Sequence, residues 1–191
     1  MEHERVAERE TGVSLVELMI GITILAILTS LALPSFGKMI KDNRRTVTVN
    51  EVLSSVLLAR EEAAKRGQSV VVCGGTASTC ASNGTWDAGW QVFVDVNDSG
   101  DIESNATLNG ATYDETGLVL RRYGNSYSKV KIRSSVTAAS LKPFQVAGTA
   151  ASILVCDERG SSEARVVCIA SNGRAASQST DCNTGGALVC P

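Results

Sequence analysis

The sequence predicts an α+β protein: one long N-terminal helix packed on a C-terminal antiparallel β-sheet or small sandwich, stapled by disulfides. Three observations carry that expectation. An apolar run over residues 13–33 passes directly into a helical apolar period that ends at Gly67. Short Val- and Ile-rich runs separated by Gly, Ser, Asn and Asp fill the rest of the chain. All six cysteines stand beyond the helix, where they can staple the β-rich part.

Residues 13–33 carry a single charge, Glu17. As a helix they extend about 31 Å, enough to cross a bilayer's hydrocarbon core. A cleaved secretory signal would have a shorter apolar stretch, basic residues before it and a small-x-small site after it. Here residues 1–12 hold four acids and two bases, and the run closes on Ser30-Leu31-Ala32-Leu33-Pro34. A carboxylate in so apolar a place costs about 2.5–3.5 kcal/mol near a helix centre, so Glu17 calls for a functional account. Residues 13–34 are therefore expected to be a membrane-spanning helix, preceded by residues 1–12. An amphipathic helix should occupy 35–67, because Val49, Val52, Leu53, Val56, Ala59 and Ala63 recur at helical spacing. Lys65-Arg66-Gly67 provides the stop, with basic residues in the last turn and glycine at the end. Pro34 is expected to bend the helix near the junction.

Residues 68–191 form the expected β-rich head. Strands are expected at 69–73, 90–96, 118–123, 129–133, 152–157, 165–170 and 187–190, with loops at 104–117 and 172–186. Aromatic residues make up only 4% of the chain, which disfavours a helix bundle built on large side chains. The cysteines, at positions 73, 80, 156, 168, 182 and 190, contain no C-x₂-C pair, and the only histidine is His3. That composition offers no zinc site and no imidazole base within the head. Disulfides persist in oxidising compartments, which places the head outside the cytoplasm. Sequence alone allows 15 pairings. Loop closure favours near neighbours: Cys73–Cys80, Cys156–Cys168 and Cys182–Cys190. A hairpin turning at Ser162 would set Cys156 opposite Cys168 at bridging distance.

The net charge of −2 neither favours nor excludes a nucleic-acid partner. Its distribution is uneven. Asp87, Asp95, Asp98, Asp101, Glu103, Asp114 and Glu115 lie between Cys73 and Gly117 with no base among them. From Leu118 onward there are nine bases and four acids. One acidic and one basic face would follow, to orient subunits or bind phosphate, or simply two solvated surfaces. Asp95, Asn97 and Ser99, with Gly100 sixth, match the start of a calcium loop, but the twelfth position is Ala106 rather than glutamate. An Asn/Asp/Gly turn explains the same residues, so no cofactor or metal is expected, calcium there being the one option. No nucleophile elbow, phosphate-binding Gly loop or paired-carboxylate motif appears, so no enzyme is expected.

Gly12-Val13-Ser14-Leu15-Val16-Glu17-Leu18-Met19 resembles the prepilin processing motif: a leader ending in Gly, then an apolar helix with Glu fifth. Pro34 stands where such helices often carry a proline. Two departures are visible, Val13 in place of the usual Phe and a net-negative leader. The head resembles the GspH/FimT branch of minor pilins, FimT- and FimU-like. The matching stretches are Val70-Val71-Val72-Cys73, Trp86…Gly89-Trp90-Gln91-Val92-Phe93-Val94-Asp95, Ile153-Leu154-Val155-Cys156-Asp157, Val166-Val167-Cys168-Ile169 and Asn172-Gly173-Arg174.

The resemblance implies that prepilin peptidase cuts after Gly12 and that Val13 is N-methylated. It also implies that Glu17 pairs with the N-terminal amine of a neighbouring subunit. The expected product is a minor type IV pilin, a structural subunit in pilus priming or at the tip. It would be single-pass in the inner membrane with its head in the periplasm, then part of a filament with other pilins. The alternatives are a DNA-binding minor pilin for natural transformation and a minor pseudopilin of type II secretion. FimT-type members bind DNA through Gly-Arg-x-Arg, and here Gly173-Arg174-Ala175-Ala176 keeps only the first arginine. Arg121, Arg122, Lys129, Lys131 and Arg133 would have to share a face with Arg174 to add phosphate contacts. One signal points the other way: Lys38, Lys41, Arg44 and Arg45 follow the apolar run, against Arg5 and Arg9 before it. The positive-inside tendency alone would keep the head in the cytoplasm. The cysteines and the processing motif together outweigh it.

Overall fold

A computed structural model describes residues 12–75, 80–81, 84–102, 106–108, 110–113, 118–125, 127–136, 138–141, 148, 150–182, 185–186 and 189–190. Helix α1 (Leu15–Arg66) leads into strands β1 (Ser69–Gly74), β2 (Trp90–Asp95), β3 (Ala106–Leu108), β4 (Ala111–Tyr113) and β5 (Val119–Tyr123). Then come β6 (Lys131–Ser134), β7 (Ala138–Leu141), β8 (Ala151–Cys156), β9 (Arg165–Ile169) and β10 (Ala175–Gln178). The chain divides into two compact units between Ile40 and Lys41.

In the first unit the helix starts on a cap. Ser14 Oγ accepts the backbone N–H of Glu17 at 3.3 Å, which satisfies one of the donors that a helix start leaves open. From Leu15 to Leu31 the large apolar side chains are exposed, and so are Phe36, Met39 and Ile40. The hydroxyls within this stretch are turned back on the helix. Thr23 donates to the carbonyls of Met19 and Ile20, Thr29 to those of Leu25 and Ala26, and Ser30 to that of Ile27. A surface made this way has no hydroxyl that needs water.

In the second unit two four-stranded antiparallel sheets, β5-β2-β1-β7 and β10-β9-β8-β6, share one core with the later part of α1. The helix contributes Val49, Val52, Val56, Ala59 and Ala63, one narrow stripe at the helical period. Alternation along the strands does the rest. Val70 and Val72 of β1, with Trp90, Val92 and Val94 of β2, face this core. Val71, Cys73 and Phe93 point the opposite way, into a smaller cluster with Ile102. β1 and β2 are thus buried on both faces, which explains why 70–73 reads as an unbroken apolar run. The outer face of the other sheet carries a third cluster of Cys156, Ala164 and Val166. Segment 84–89 ties the sheets together: Trp86 N–H donates to Ile132 O and Ser134 N–H to Gly84 O, with a single bridge between Thr85 and Arg133.

Two disulfide expectations are corrected. Cys73 is bonded to Cys80, but Cys156 is bonded to Cys190 and Cys168 to Cys182. The β8–β9 register pairs Ser152 with Cys168, so the hairpin is centred on Gly160 rather than Ser162. Cys156 and Cys168 share a face, as alternation requires, but Cys168 lies four residues along the strand from the position opposite Cys156. Each therefore reaches the segment after β10 instead. The expected loops 104–117 and 172–186 contain the β3–β4 hairpin and β10, and β7 replaces what looked like connection. Val189 and Cys190 form no strand, and residues 187–188 lie outside the described set.

Gly74 ends β1 directly against the Trp86 indole, where a Cβ would collide with the ring. Trp86 and Trp90 stack with centroids 6.4 Å apart, and Trp90 stacks on Tyr123 at 5.2 Å, so the ring has no room to retreat. Gly74→Ala is expected to destabilise the head by about 1–3 kcal/mol, read as a lower urea midpoint at unchanged slope. An unchanged midpoint would show that the stack can shift.

Candidate assembly helix and head surface

The processing-motif residues sit at the start of α1. Gly12, Val13 and Ser14 precede the first turn and are exposed, and Glu17 is the acidic residue of that turn. Ser14 and Glu17 stand as S-x-x-E, a cap signal readable in the sequence itself. A carboxylate in the first turn also faces the positive end of the helix dipole. Chemically this end offers a peptide bond outside the helix and one acid whose surroundings are otherwise apolar. Residues 1–11, the greater part of the expected leader, lie outside the described residues.

The basic residues of the head do not gather into one patch. Arg121 and Arg122 are neighbours on the edge strand β5 and so point to opposite faces. Arg121 lies over the Tyr123 ring at 5.0 Å, beside a shallow hollow formed with Asn50, Glu51 and Ser54. Arg122 donates from Nε to Gln91 Oε1 at 3.3 Å. A register shift between Val92 and Phe93, which pair with Arg121 and Val119, sets this arrangement. Lys131 and Arg133 share the outward face of β6, yet both turn to Asp87, at 3.5 and 2.6 Å. Burial pushes the Asp87 carboxyl up, but hydrogen bonds from Arg133 and from the Ile132 N–H outweigh it and hold it below its usual range. Lys129 pairs with Glu158 at 3.0 Å.

Arg174 stands apart. It follows Gly173, whose φ of 75° makes the β9–β10 turn, and its N–H donates to Asn172 Oδ1. Among the described residues its guanidinium has no partner, and it borders an open groove of about 560 Å³ lined by Ser152, Cys168 and Ala176. β10 and β6 are opposite edges of their sheet, so Arg174 and Arg133 are separated by roughly 20 Å. Some of the charges that could have made up acidic and basic faces are neutralised locally: Asp87 pairs with Lys131 and Arg133, and Glu158 with Lys41 and Lys129. Glu103, Asp114 and Glu115 lie outside the described residues.

The calcium-like stretch is closed on itself. Asp95 is buried, with Oδ1 accepting the Ser99 N–H at 3.0 Å and Oδ2 the Gly100 N–H at 2.9 Å. Asn97 Oδ1 also accepts the Ser99 N–H, and Asp98 takes the left-handed backbone conformation and accepts the Ser69 hydroxyl. Backbone donors thus account for the burial of Asp95 without a cation.

One charged cluster escaped the sequence reading. Arg45 is buried on the core-facing side of α1, with Nη2 2.9 Å from Asp42 Oδ1 and Nη1 bonded to the Glu163 carbonyl and carboxylate. Arg159 grips Asp157 through Nε and Nη2, and Asp42 at 3.0 Å. The only signal in the sequence was a base in register with Val49 and Val52. Burial pushes the Asp157 carboxyl up, but the Arg159 guanidinium and N–H hold it below its ordinary value of 3.8. Since that pKa is depressed in the folded state, its stabilisation is present at neutral pH and is lost as pH falls below about 4. Arg159→Ala should cost about 1–3 kcal/mol at pH 7 and flatten the loss of stability on acidification, followed by urea unfolding at several pH values. An equally steep acid loss in the variant would assign that loss to other carboxylates.

Comparison with known proteins adds two family matches. Residues 48–173, more than half of the chain, match the model described as type II transport protein GspH. Residues 9–33 match the prokaryotic N-terminal methylation motif. Among curated protein sequences none matches. Two crystal structures of the Pseudomonas aeruginosa (strain PAO1) type IV minor pilin FimU are similar in fold. One aligns at 14% identity with a TM-score of 0.50 over 72% of this chain and 90% of that one. The other aligns at 12% identity with a TM-score of 0.47 over 70% and 91%.

Proposed function

Because the chain belongs to the GspH family of type IV pilin-like proteins, we propose that it is a minor type IV pilin, a structural subunit that primes pilus assembly or sits near the tip. The single observation that carries this reading is the helix ahead of Lys41. It is apolar on all sides, capped by Ser14, and charged among its early turns only at Glu17. So much exposed apolar surface is stable only in a bilayer or against other helices of its own kind. A membrane-anchored subunit extracted into a helical filament uses both environments in turn.

In that sequence of events prepilin peptidase cleaves after Gly12 and Val13 becomes the methylated N-terminus, its amine cationic. Glu17 of one subunit then pairs with the amine of a neighbour, so that the acid is neutralised where the filament core excludes water. Three disulfides support a head on the oxidising, periplasmic side, and in the filament that head would remain on the surface. The same helix would equally serve a type II secretion pseudopilus, and the genes flanking this one would separate the two systems. Capture of DNA is a second reading, favoured by the Arg174 guanidinium, which has no partner among the described residues and lies beside an open groove. With Lys131 and Arg133 committed to Asp87, few phosphates would be neutralised and binding would be weak.

Leaving one charge unpaired in a buried site costs about 3–5 kcal/mol, so Glu17→Ala should enter purified pili at well under a tenth of the wild-type level. Wild-type incorporation would remove Glu17 from assembly. Gly12→Glu should keep its leader, seen by intact mass, and a processed product would refute cleavage there. For DNA, binding by the oxidised protein should weaken steeply with salt and fall in Arg174→Ala, whereas no binding at low salt would leave the assembly role alone.

A further inference from the structure

The exposed apolar surface of α1 does not stop where the charge-free run of the sequence stops. Beyond Pro34 it continues through Phe36, Met39 and Ile40, which are 61%, 67% and 51% exposed. It ends only at Lys41, the first residue of the head unit. Residues 20–40 extend about 31 Å as a helix, one hydrocarbon thickness, just as residues 13–33 do. The two frames differ in what they bury. The earlier frame draws Glu17 about 6 Å inside the hydrocarbon and leaves Phe36, Met39 and Ile40 in water. The later frame leaves Glu17 about 4.5 Å outside, keeps the Gly12–Val13 peptide bond in water, and covers all three apolar side chains. Its cost is Lys38, about 3 Å inside the outer boundary, whose stem leaves the helix leaning toward the N-terminus but is long enough to turn its ammonium back to the headgroups.

Resting on the membrane-anchored reading above, we propose that the bilayer holds residues 20–40 of the unassembled subunit rather than 13–33. Lys38 and Lys41 meet the outer headgroup phosphates, and Glu17 waits at the inner headgroup layer. Lys41 is held to the head by Glu158 at 2.7 Å, and Lys129 shares that carboxylate. Two lysines on one glutamate leave a net positive charge there, and Arg44, over the Tyr127 ring at 5.8 Å, adds another. Lys38, Lys41 and Arg44 thus have a role on the outer side, as anchors at lipid phosphates, while Arg45 is bonded to Asp42 and Glu163 inside the head.

Two native methionines read the frame. Helical side chains lean toward the N-terminus, so Met39 would lean into the hydrocarbon and Met19 out of it at the inner boundary. The full chain, one copy per nanodisc of phosphatidylethanolamine and phosphatidylglycerol, would be treated with chloramine-T and each sulfoxide followed by peptide mass. Met39 is expected to oxidise at least about tenfold more slowly than Met19, and Lys38→Glu to abolish that protection by moving the frame back. Met39 oxidised as fast as Met19, or faster, would overturn the proposed frame. Release of the chain from bacterial membranes by alkaline carbonate would instead overturn the anchoring itself.

Discussion

Everything in the head depends on one shared core, to which both sheets turn their inner faces and α1 offers a stripe only a few side chains wide. Val49, Val52, Val56, Ala59 and Ala63 are small, so the helix can lie close to the strands. The polar residues beside them, Thr48 and Ser55, bond back to Arg44 O and Val52 O and carry no unsatisfied hydroxyl inward. Burying each valine contributes about 1.5–3 kcal/mol, and the stripe has no large residue to spare. The bulk is supplied from the other side by Trp86, Trp90 and Ile153. That division of volume accounts for the low aromatic content of the chain and for the glycine at 74.

Charge serves this core rather than a ligand. Arg45 and Arg159 fasten the first turns of α1 within the head to the β8–β9 turn through Asp42, Asp157 and Glu163. Asp87 does the same between the tryptophan turn and β6. Arg45 and Asp157 are the buried members of these pairs, and removing a partner of either would leave a poorly solvated charge behind. Arg45, Arg133 and Arg159 are thereby drawn to carboxylates of the head itself.

The outer sheet faces have less to rely on. One is covered by the turn after β2 and by Cys80, the other by the chain after β10. Among the described residues neither cover brings a large apolar cluster, and disulfides in both places hold them down. Cys156–Cys190 closes a 34-residue separation and Cys168–Cys182 one of 14, which restricts the unfolded chain where packing alone would be weak. The C-terminal segment is further tied by the Cys190 N–H to Ser161 Oγ.

Local signals carried most of the architecture. The apolar run, the helical period through Ala63, the stop at Gly67 and the double-sided Val70-Val71-Val72-Cys73 strand were legible because each depends on residues within a few positions of one another. The Gly12/Glu17 pattern was legible for the same reason. Only the tertiary structure decided what depends on register between distant segments. A two-residue displacement of the β8–β9 turn moved Cys168 four residues from the position expected of it and exchanged two disulfide partners. The sheet order put Arg174 and Arg133 at opposite edges, although both belong to the base-rich half of the sequence. Asp87, Asp157 and Arg45 became internal ties because the fold brought an opposite charge to each. Spacing along a chain fixes period and handedness, but which strand lies beside which is settled by the burial of a core that no short segment can form alone.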